Sequence, residues 1–295
     1  MRLAVSGTEF GESDGVDSLI AAARAASVRD VELWFPKNYL KDKVVGTMAK
    51  IRDAELSVAC ISTPTSLYGS GREKSLTLLD TALGIAAASG VTRVNTYFGH
   101  AAEVDDARAI SMYAEAISTL VARAEDVGVT IVLENEFDAF GWDPAGSDIT
   151  RRPAALVALC ARIDSPAFGL NFDPANFYCA SVCPREEALP ALAGYIRYVH
   201  VKDIVSVPDP AAPAAKGWVR YIDHGLAFDT TRLGAGDVPW PGLLADLITN
   251  AYSGYLTLEP HCVPRSLLDE IRYSAEYLRA ALGLSLTADP GRCTP

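Results

Sequence analysis

Four ionisable residues stand at the ends of four successive apolar runs: Glu134 in VLENE, Asp173 in NFDPANF, His200 in YVHVKD and Glu259 in LTLEPH. Each run is short and rich in β-branched or aromatic residues, as a buried strand requires. If the strands are parallel, their ends converge, and three carboxylates with one imidazole then share one mouth. Such a cluster repels itself unless a positive charge sits within it. A divalent cation supplies that charge. Oxygen-rich ligation with a single imidazole suits a hard or borderline ion, Mn²⁺ or Mg²⁺, with Co²⁺ and Zn²⁺ as alternatives. A lone acid at a strand end is commonly a helix N-cap or a solvated charge. Four on consecutive strands point instead to a metal site at Glu134, Asp173, His200 and Glu259.

A metal that chelates a carbonyl oxygen and the neighbouring hydroxyl acidifies the C–H between them and stabilises the resulting enediolate. The chemistry then needs proton carriers. If strands five and eight face each other across a barrel, Glu134 and Glu259 flank the substrate and move protons on opposite faces of one carbon. Each well-placed acid or base contributes ~10²–10⁴-fold, and two of them predict epimerisation or isomerisation. Lys202 and His261 lie two residues beyond His200 and Glu259, on the same side of an extended strand as their partners. With one glutamate acting only as a ligand, these two become the donors that turn the same intermediate towards elimination. Lys202 has a second reading, as the ion-pair partner of Asp173 or Glu136.

The substrate-binding candidates follow the same parity. Glu136 shares the side of Glu134 and suits a sugar hydroxyl or a rim salt bridge. Asn176 contacts substrate or caps the turn after Asp173, and Glu32 in VELW orients a ligand. His100 and His224 fall in mouth loops, and Trp34, with Phe35, Tyr97 and Phe98, can wall the apolar face of a sugar ring.

The elements that must position these residues are legible along the chain. Strands are expected at 3–6, 31–34, 57–62, 92–98, 130–136, 168–173, 196–202 and 255–259. Between them, apolar residues recur three and four apart, as in Ile110, Tyr113, Ile117, Leu120 and Val121, which marks helices laid on a sheet. Gly90 and Gly128 stand where helices must stop. Eight strand–helix units predict an α/β fold, a single (β/α)8 TIM barrel over residues 1–286, and no G-x-G-x-x-G follows the first strand to favour a dinucleotide-binding sheet. Residues 204–239, rich in Pro, Gly and Ala, read as an irregular loop at the mouth, a lid in function. Residues 287–295 read as a disordered tail.

At 295 residues and 49% hydrophobic composition the chain can bury a large core. A net charge of −11 disfavours nucleic acid as a partner. No secretory or membrane-spanning segment is found, which implies a cytoplasmic location. The six cysteines form no CxxC pair and read as small apolar residues.

The order of Glu, Asp in D-P-x-N, His in HVKD, then GAGDVPW and Glu in LEPH resembles the xylose-isomerase-like sugar isomerase/epimerase superfamily over essentially the whole chain. That superfamily includes ketose 3-epimerases, inosose isomerases and dehydratases, hydroxypyruvate isomerases and apurinic endonucleases. The resemblance assigns Glu134, Asp173, His200 and Glu259 as metal ligands and makes Mn²⁺ the first choice. The endonuclease branch builds a multi-metal cluster from additional histidines, whereas this chain has only four histidines in all. Ketose 3-epimerases carry an arginine shortly after the strand-seven histidine, where this chain has Val201, Lys202 and Asp203. The expectation is a metal-dependent isomerase or epimerase of keto-sugars or keto-polyols. The alternative is a lyase on the same site, an inosose-type dehydratase or a deglycosidase of 3-keto glycosides. Homo-oligomers are usual for such barrels, and a deglycosidase would pair with a second subunit.

Overall fold

Short apolar runs that cannot bury both faces alone must share a sheet, and the helical segments between them must cover it. The computed structural model describes residues 1–10, 15–36, 43–67, 71–99, 101–102, 104–137 and 146–283. Its main strands are β1 (Arg2–Ser6), β2 (Asp30–Trp34), β3 (Ser57–Ser66), β4 (Arg93–Tyr97), β5 (Thr130–Glu134), β6 (Phe168–Phe172), β7 (Ile196–Val201) and β8 (Tyr255–Leu258). They close in the order β1-β8-β7-β6-β5-β4-β3-β2. Every neighbouring pair is parallel. All eight expected strands are present, with ends shifted by a few residues at most except for β3, which runs four residues further.

Helices at Gly15–Ala25, Val44–Asp53, Arg72–Ser89, Asp106–Asp126, Pro153–Ile163, Trp240–Thr249 and Leu267–Ala281 cover the barrel. β6 is followed by shorter helical pieces at Pro174–Cys179 and Leu189–Leu192. Gly90 caps the Arg72–Ser89 helix at φ +70°, and Gly128 turns at φ +69° before β5, a conformation in which a Cβ is costly. No helix among the described residues is long and apolar enough to cross a membrane.

Strand parity divides the core into two parts. One continuous apolar shell fills the space between strands and helices. A smaller cluster of Ala4, Ala59, Cys60, Val132, Tyr198 and Tyr255 fills the barrel interior. Moving along the strands by two residues from that inner layer leads from Val132 to Glu134, from Tyr198 to His200 and from Tyr255 through Thr257 to Glu259. The barrel is thus apolar at one level and ionisable at the next.

Two expectations are corrected. The stretch 204–239 is not irregular: strands Asp203–Val207, Arg220–Asp223 and Leu226–Thr231 form an antiparallel sheet. The alternating residues of YIDHGLAFD carried that signal, but the surrounding Pro and Gly masked it. Strands β5 and β8 also do not face each other, because β6 and β7 lie between them in the ring.

The sheet is tied to the barrel by Asp203. Its Oδ1 accepts the N–H of Ile204 (2.9 Å) and Val238 (3.2 Å), and its Oδ2 accepts those of Gly234 (2.8 Å) and Gly236 (3.1 Å). Trp240 Nε1 donates to the Lys202 carbonyl at 3.1 Å. HVKD and GAGDVPW are therefore one hydrogen-bonded unit. A Cβ on Gly236 would lie 2.3 Å from Asp203 Oδ1 and 2.4 Å from the Ile204 carbonyl oxygen. Gly236→Ala is expected to lower stability by about 3 kcal/mol in urea unfolding, from overpacking and loss of these bonds. Gly46, in the Val44–Asp53 helix with nothing within 4 Å of its would-be Cβ, gives the opposite sign: Gly46→Ala should stabilise by about 0.5 kcal/mol.

Candidate functional site

The inward parity of β5, β6, β7 and β8 brings Glu134, Asp173, His200 and Glu259 together, with one ligand atom from each within 4.8 Å of all the others. All four are buried. His200 Nδ1 lies 3.1 Å from Glu134 Oε1 and 3.4 Å from Glu259 Oε2. Its Nε2 lies 3.0 Å from Glu32 Oε2, which in turn holds Ser6 Oγ at 2.9 Å through Oε1. With Nε2 donating to Glu32, the lone pair of Nδ1 would be turned towards the cluster as the ligand atom.

Glu134 is fixed in the same manner. Its Oε2 accepts Asn95 Nδ2 (3.0 Å) and Asn171 Nδ2 (3.1 Å), and Oε1 is left facing His200. Asp173 Oδ1 caps the helix Pro174–Cys179 by accepting the N–H of Asn176 at 3.0 Å, and Oδ2 holds Lys202 Nζ at 2.6 Å. Lys202 Nζ is also 3.5 Å from Glu259 Oε2. The ion pair expected between Lys202 and Asp173 is present, and the same ammonium group stands beside Glu259. Burial alone would lower the Lys202 pKa, but Asp173 and Glu259 hold it above the usual lysine range.

Glu259 Oε2 meets three nitrogens, those of His200, Lys202 and His261, the last at 3.3 Å. Burial would raise its pKa, yet His200, His261 and Lys202 outweigh burial and hold the carboxyl well below the usual range. The donor set suits a divalent cation. Three carboxylates and one imidazole converge; Glu134 and His200 have their other polar atom engaged by Asn95, Asn171 and Glu32, while the inward oxygens of Asp173 and Glu259 are shared with Lys202. The cluster can hold a metal ion.

His261 sits at φ +46°, a conformation sparsely populated by residues other than glycine. Three side chains hold it there: Glu9 Oε1 accepts its N–H at 2.6 Å, Thr230 Oγ1 donates to its carbonyl at 2.7 Å, and Tyr221 Oη contacts Nδ1. Burial would lower its pKa, but Glu259 and Glu9 raise it above the usual histidine value. Glu136 lies within the field of Glu134, Lys202 and Asp173, and burial pushes its carboxyl well above the usual range.

The other expected residues make contacts of their own. Asn176 braces the fold, with Nδ2 donating to the Asn135 carbonyl at 2.9 Å. Trp34 packs on Tyr97 with ring centroids 6.3 Å apart. His224 occupies the turn of the antiparallel hairpin, 42% exposed, with Nε2 3.9 Å from Asp223 Oδ1. His100 and the tail from 287 lie outside the described residues.

Sequence reasoning missed Glu9, Tyr221, Asn95 and Asn171. Parity along β4 and β6 was enough to find the two asparagines. Glu9 and Tyr221 have no local signal, because only the closed barrel and the added sheet bring them to His261.

Comparison with known proteins agrees with this architecture. The chain is 26% identical over 201 residues to YihM, an uncharacterized protein of Escherichia coli (strain K12); the match takes in 68% of this chain and 52% of YihM, so the chain spans about half the length of that curated relative. Among solved structures, the IolI protein with a bound zinc atom superposes with a TM-score of 0.74 at 14% identity, covering 95% of this chain and 98% of that one. A D-tagatose 3-epimerase-like protein superposes with a TM-score of 0.73 at 19% identity, covering 95% and 98%. At these identities the structures establish the fold alone. The family model of the xylose isomerase-like TIM barrel matches residues 20–281, and this chain belongs to that family.

Proposed function

We propose that the protein is a divalent-metal-dependent isomerase or epimerase of a keto-sugar or keto-polyol, with Mn²⁺ as its ion. The observation that carries this reading is the approach of two glutamates, from β5 and β8, to the same nitrogen of His200 at 3.1 and 3.4 Å. Glu134, Asp173, His200 and Glu259 would hold the ion, which would supply the electron withdrawal that acidifies a C–H beside a carbonyl. Glu134, oriented by Asn95 and Asn171, takes that proton. His261 Nε2, 3.3 Å from Glu259 Oε2, supplies through that carboxylate the proton returned to the neighbouring carbon. Lys202 neutralises part of the charge that develops on the substrate oxygen. Glu136 receives a substrate hydroxyl. The zinc-bound IolI protein and the 3-epimerase-like protein of the same fold support the class.

A second reading has its own observation. With three nitrogens around Oε2, Glu259 is a weak base and fits a purely ligating role. His261 or Lys202 would then protonate a departing oxygen, and the reaction would be an elimination.

The test is proton exchange in D₂O, with metal-loaded protein and a panel of ketohexoses, inososes and 3-keto glucosides, followed by NMR. Deuterium beside the carbonyl together with an isomeric product is expected. Loss of water or of an aglycone assigns the lyase. Absence of exchange in every compound, with metal confirmed bound, removes proton abstraction from consideration.

A further inference from the structure

β8 ends at Leu258, and the chain then leaves the barrel along the added sheet. Trp218 and Cys262 form an antiparallel bridge, and the Val263 N–H donates to the Gly217 carbonyl at 2.9 Å. Thr230 Oγ1 accepts the Val219 N–H at 2.9 Å and donates to the His261 carbonyl at 2.7 Å. From the loop after β1, Glu9 Oε1 takes the His261 N–H at 2.6 Å. Both peptide groups of His261 are therefore held, and its backbone stays at φ +46°, a conformation that persists only where the surroundings over-determine it.

The ring is fixed separately from the backbone. His261 Nε2 is buried and lies 3.3 Å from Glu259 Oε2, yet it makes no hydrogen bond among the described residues. Its direction must then be set through the other ring nitrogen. Tyr221 Oη meets that nitrogen, Nδ1. Tyr221 is itself well anchored: it pairs with Phe228 across the added sheet, its ring stands edge-on to Phe137 with centroids 5.3 Å apart, and it is buried. The His261 ring lies against its other neighbour-facing edge, with centroids 6.0 Å apart. The hydroxyl is thus brought to one point.

A hydroxyl is donor and acceptor in a single group. The contact with Nδ1 consequently survives the passage of a proton through Nε2, and the ring need not turn during the reaction. A proton carrier oriented from behind by a third group is a recurring arrangement in catalysis, because it fixes which nitrogen faces the reacting atoms.

We infer that Tyr221 is a positioning residue: its hydroxyl, carried on the sheet inserted between β7 and β8, aims His261 Nε2 at Glu259 and so sets the rate of the second proton transfer. The effect on turnover rests on the proposed reading of His261 as the proton source, whereas the orientation of the ring does not.

Tyr221→Phe tests it, since the substitution removes the hydroxyl and keeps the ring that packs on Phe137. Protein labelled with ¹⁵N-histidine and loaded with diamagnetic Mg²⁺ is compared with and without the change. The chain has four histidines, so each ring can be followed by NMR. The His261 Nδ1 resonance should move and those of His200 should not. The same samples are then followed in D₂O with the ketohexoses, inososes and 3-keto glucosides. Product formation should fall about 10–100-fold, and deuterium entry beside the carbonyl, which needs only Glu134, should fall much less. General damage to the site would lower both alike. In a His261→Ala background, Tyr221→Phe should lower product formation no further, because the hydroxyl acts only through that ring. An unmoved His261 resonance overturns the inference, as do equal losses of exchange and product or a full additional loss in the His261→Ala background. A moved resonance in a protein that exchanges with no compound keeps the positioning role and removes proton abstraction; exchange with an unmoved resonance does the reverse.

Discussion

Glu134→Gln is expected to lower turnover by at least about 10³-fold and to deplete bound metal while leaving the barrel folded. The carboxylate is held by two donors, Asn95 and Asn171, on Oε2, and its Oε1 faces His200. An amide at this position must turn its NH₂ either towards the two asparagine amides or towards the centre of the cluster. The first leaves donors facing donors; the second presents a donor where a cation needs an acceptor. Because glutamine has nearly the same volume, packing is kept and thermal unfolding of the metal-free protein should shift only slightly. Metal content measured by mass spectrometry and exchange measured in D₂O check the two halves separately. Glu259→Gln should behave alike, and His224→Ala, altering an exposed hairpin turn, should leave metal content unchanged. A Glu134→Gln protein that retains full metal and full exchange would sink both the ligand assignment and the base.

Much of this site can be read before any coordinates exist, for a physical reason. Parallel strands buried on both faces are continuous apolar runs, so an ionisable residue at the end of one is conspicuous. Glu134, Asp173, His200 and Glu259 stand out in that way, and a period of two extends the inference to Lys202 and His261. What escapes is whatever depends on closure. Glu9 and His261 are 252 residues apart in sequence and meet only because β1 pairs with β8. Tyr221 arrives on a hairpin whose strand pattern is interrupted by the turn residues His224 and Gly225, both at positive φ. Asn176 shows a different limit. It is polar and close to a ligand; its Nδ2 is held by the Asn135 carbonyl, and its buried Oδ1 has no hydrogen-bond partner among the described residues. Proximity along the chain indicates which side chains enter a site but not which of them remain available once backbone groups are satisfied.

Lys202 yields the prediction that separates structural from chemical roles. Its ammonium group is 4% exposed and lies 2.6 Å from Asp173 Oδ2 and 3.5 Å from Glu259 Oε2. Removing one partner of a buried pair leaves uncompensated charge, a loss of about 3 kcal/mol. Lys202→Met should therefore destabilise the metal-free protein by about that amount. Metal-loaded protein should lose less, because the ion takes over the neutralisation of the same two carboxylates. Divalent metal should consequently bind Lys202→Met at least as tightly as the parent. Turnover, by contrast, should fall by about 10²-fold, since a methionine sulfur offers no proton and no charge to the reacting oxygen. Lys202→Arg should not restore it, because a planar fork does not fit where a compact point charge is held between two acids. Calorimetry with and without metal, alongside exchange in D₂O, reads all three quantities on one protein. If stability recovers with metal and exchange recovers with it, Lys202 is only a counter-charge. If stability recovers and exchange does not, the lysine acts on the substrate.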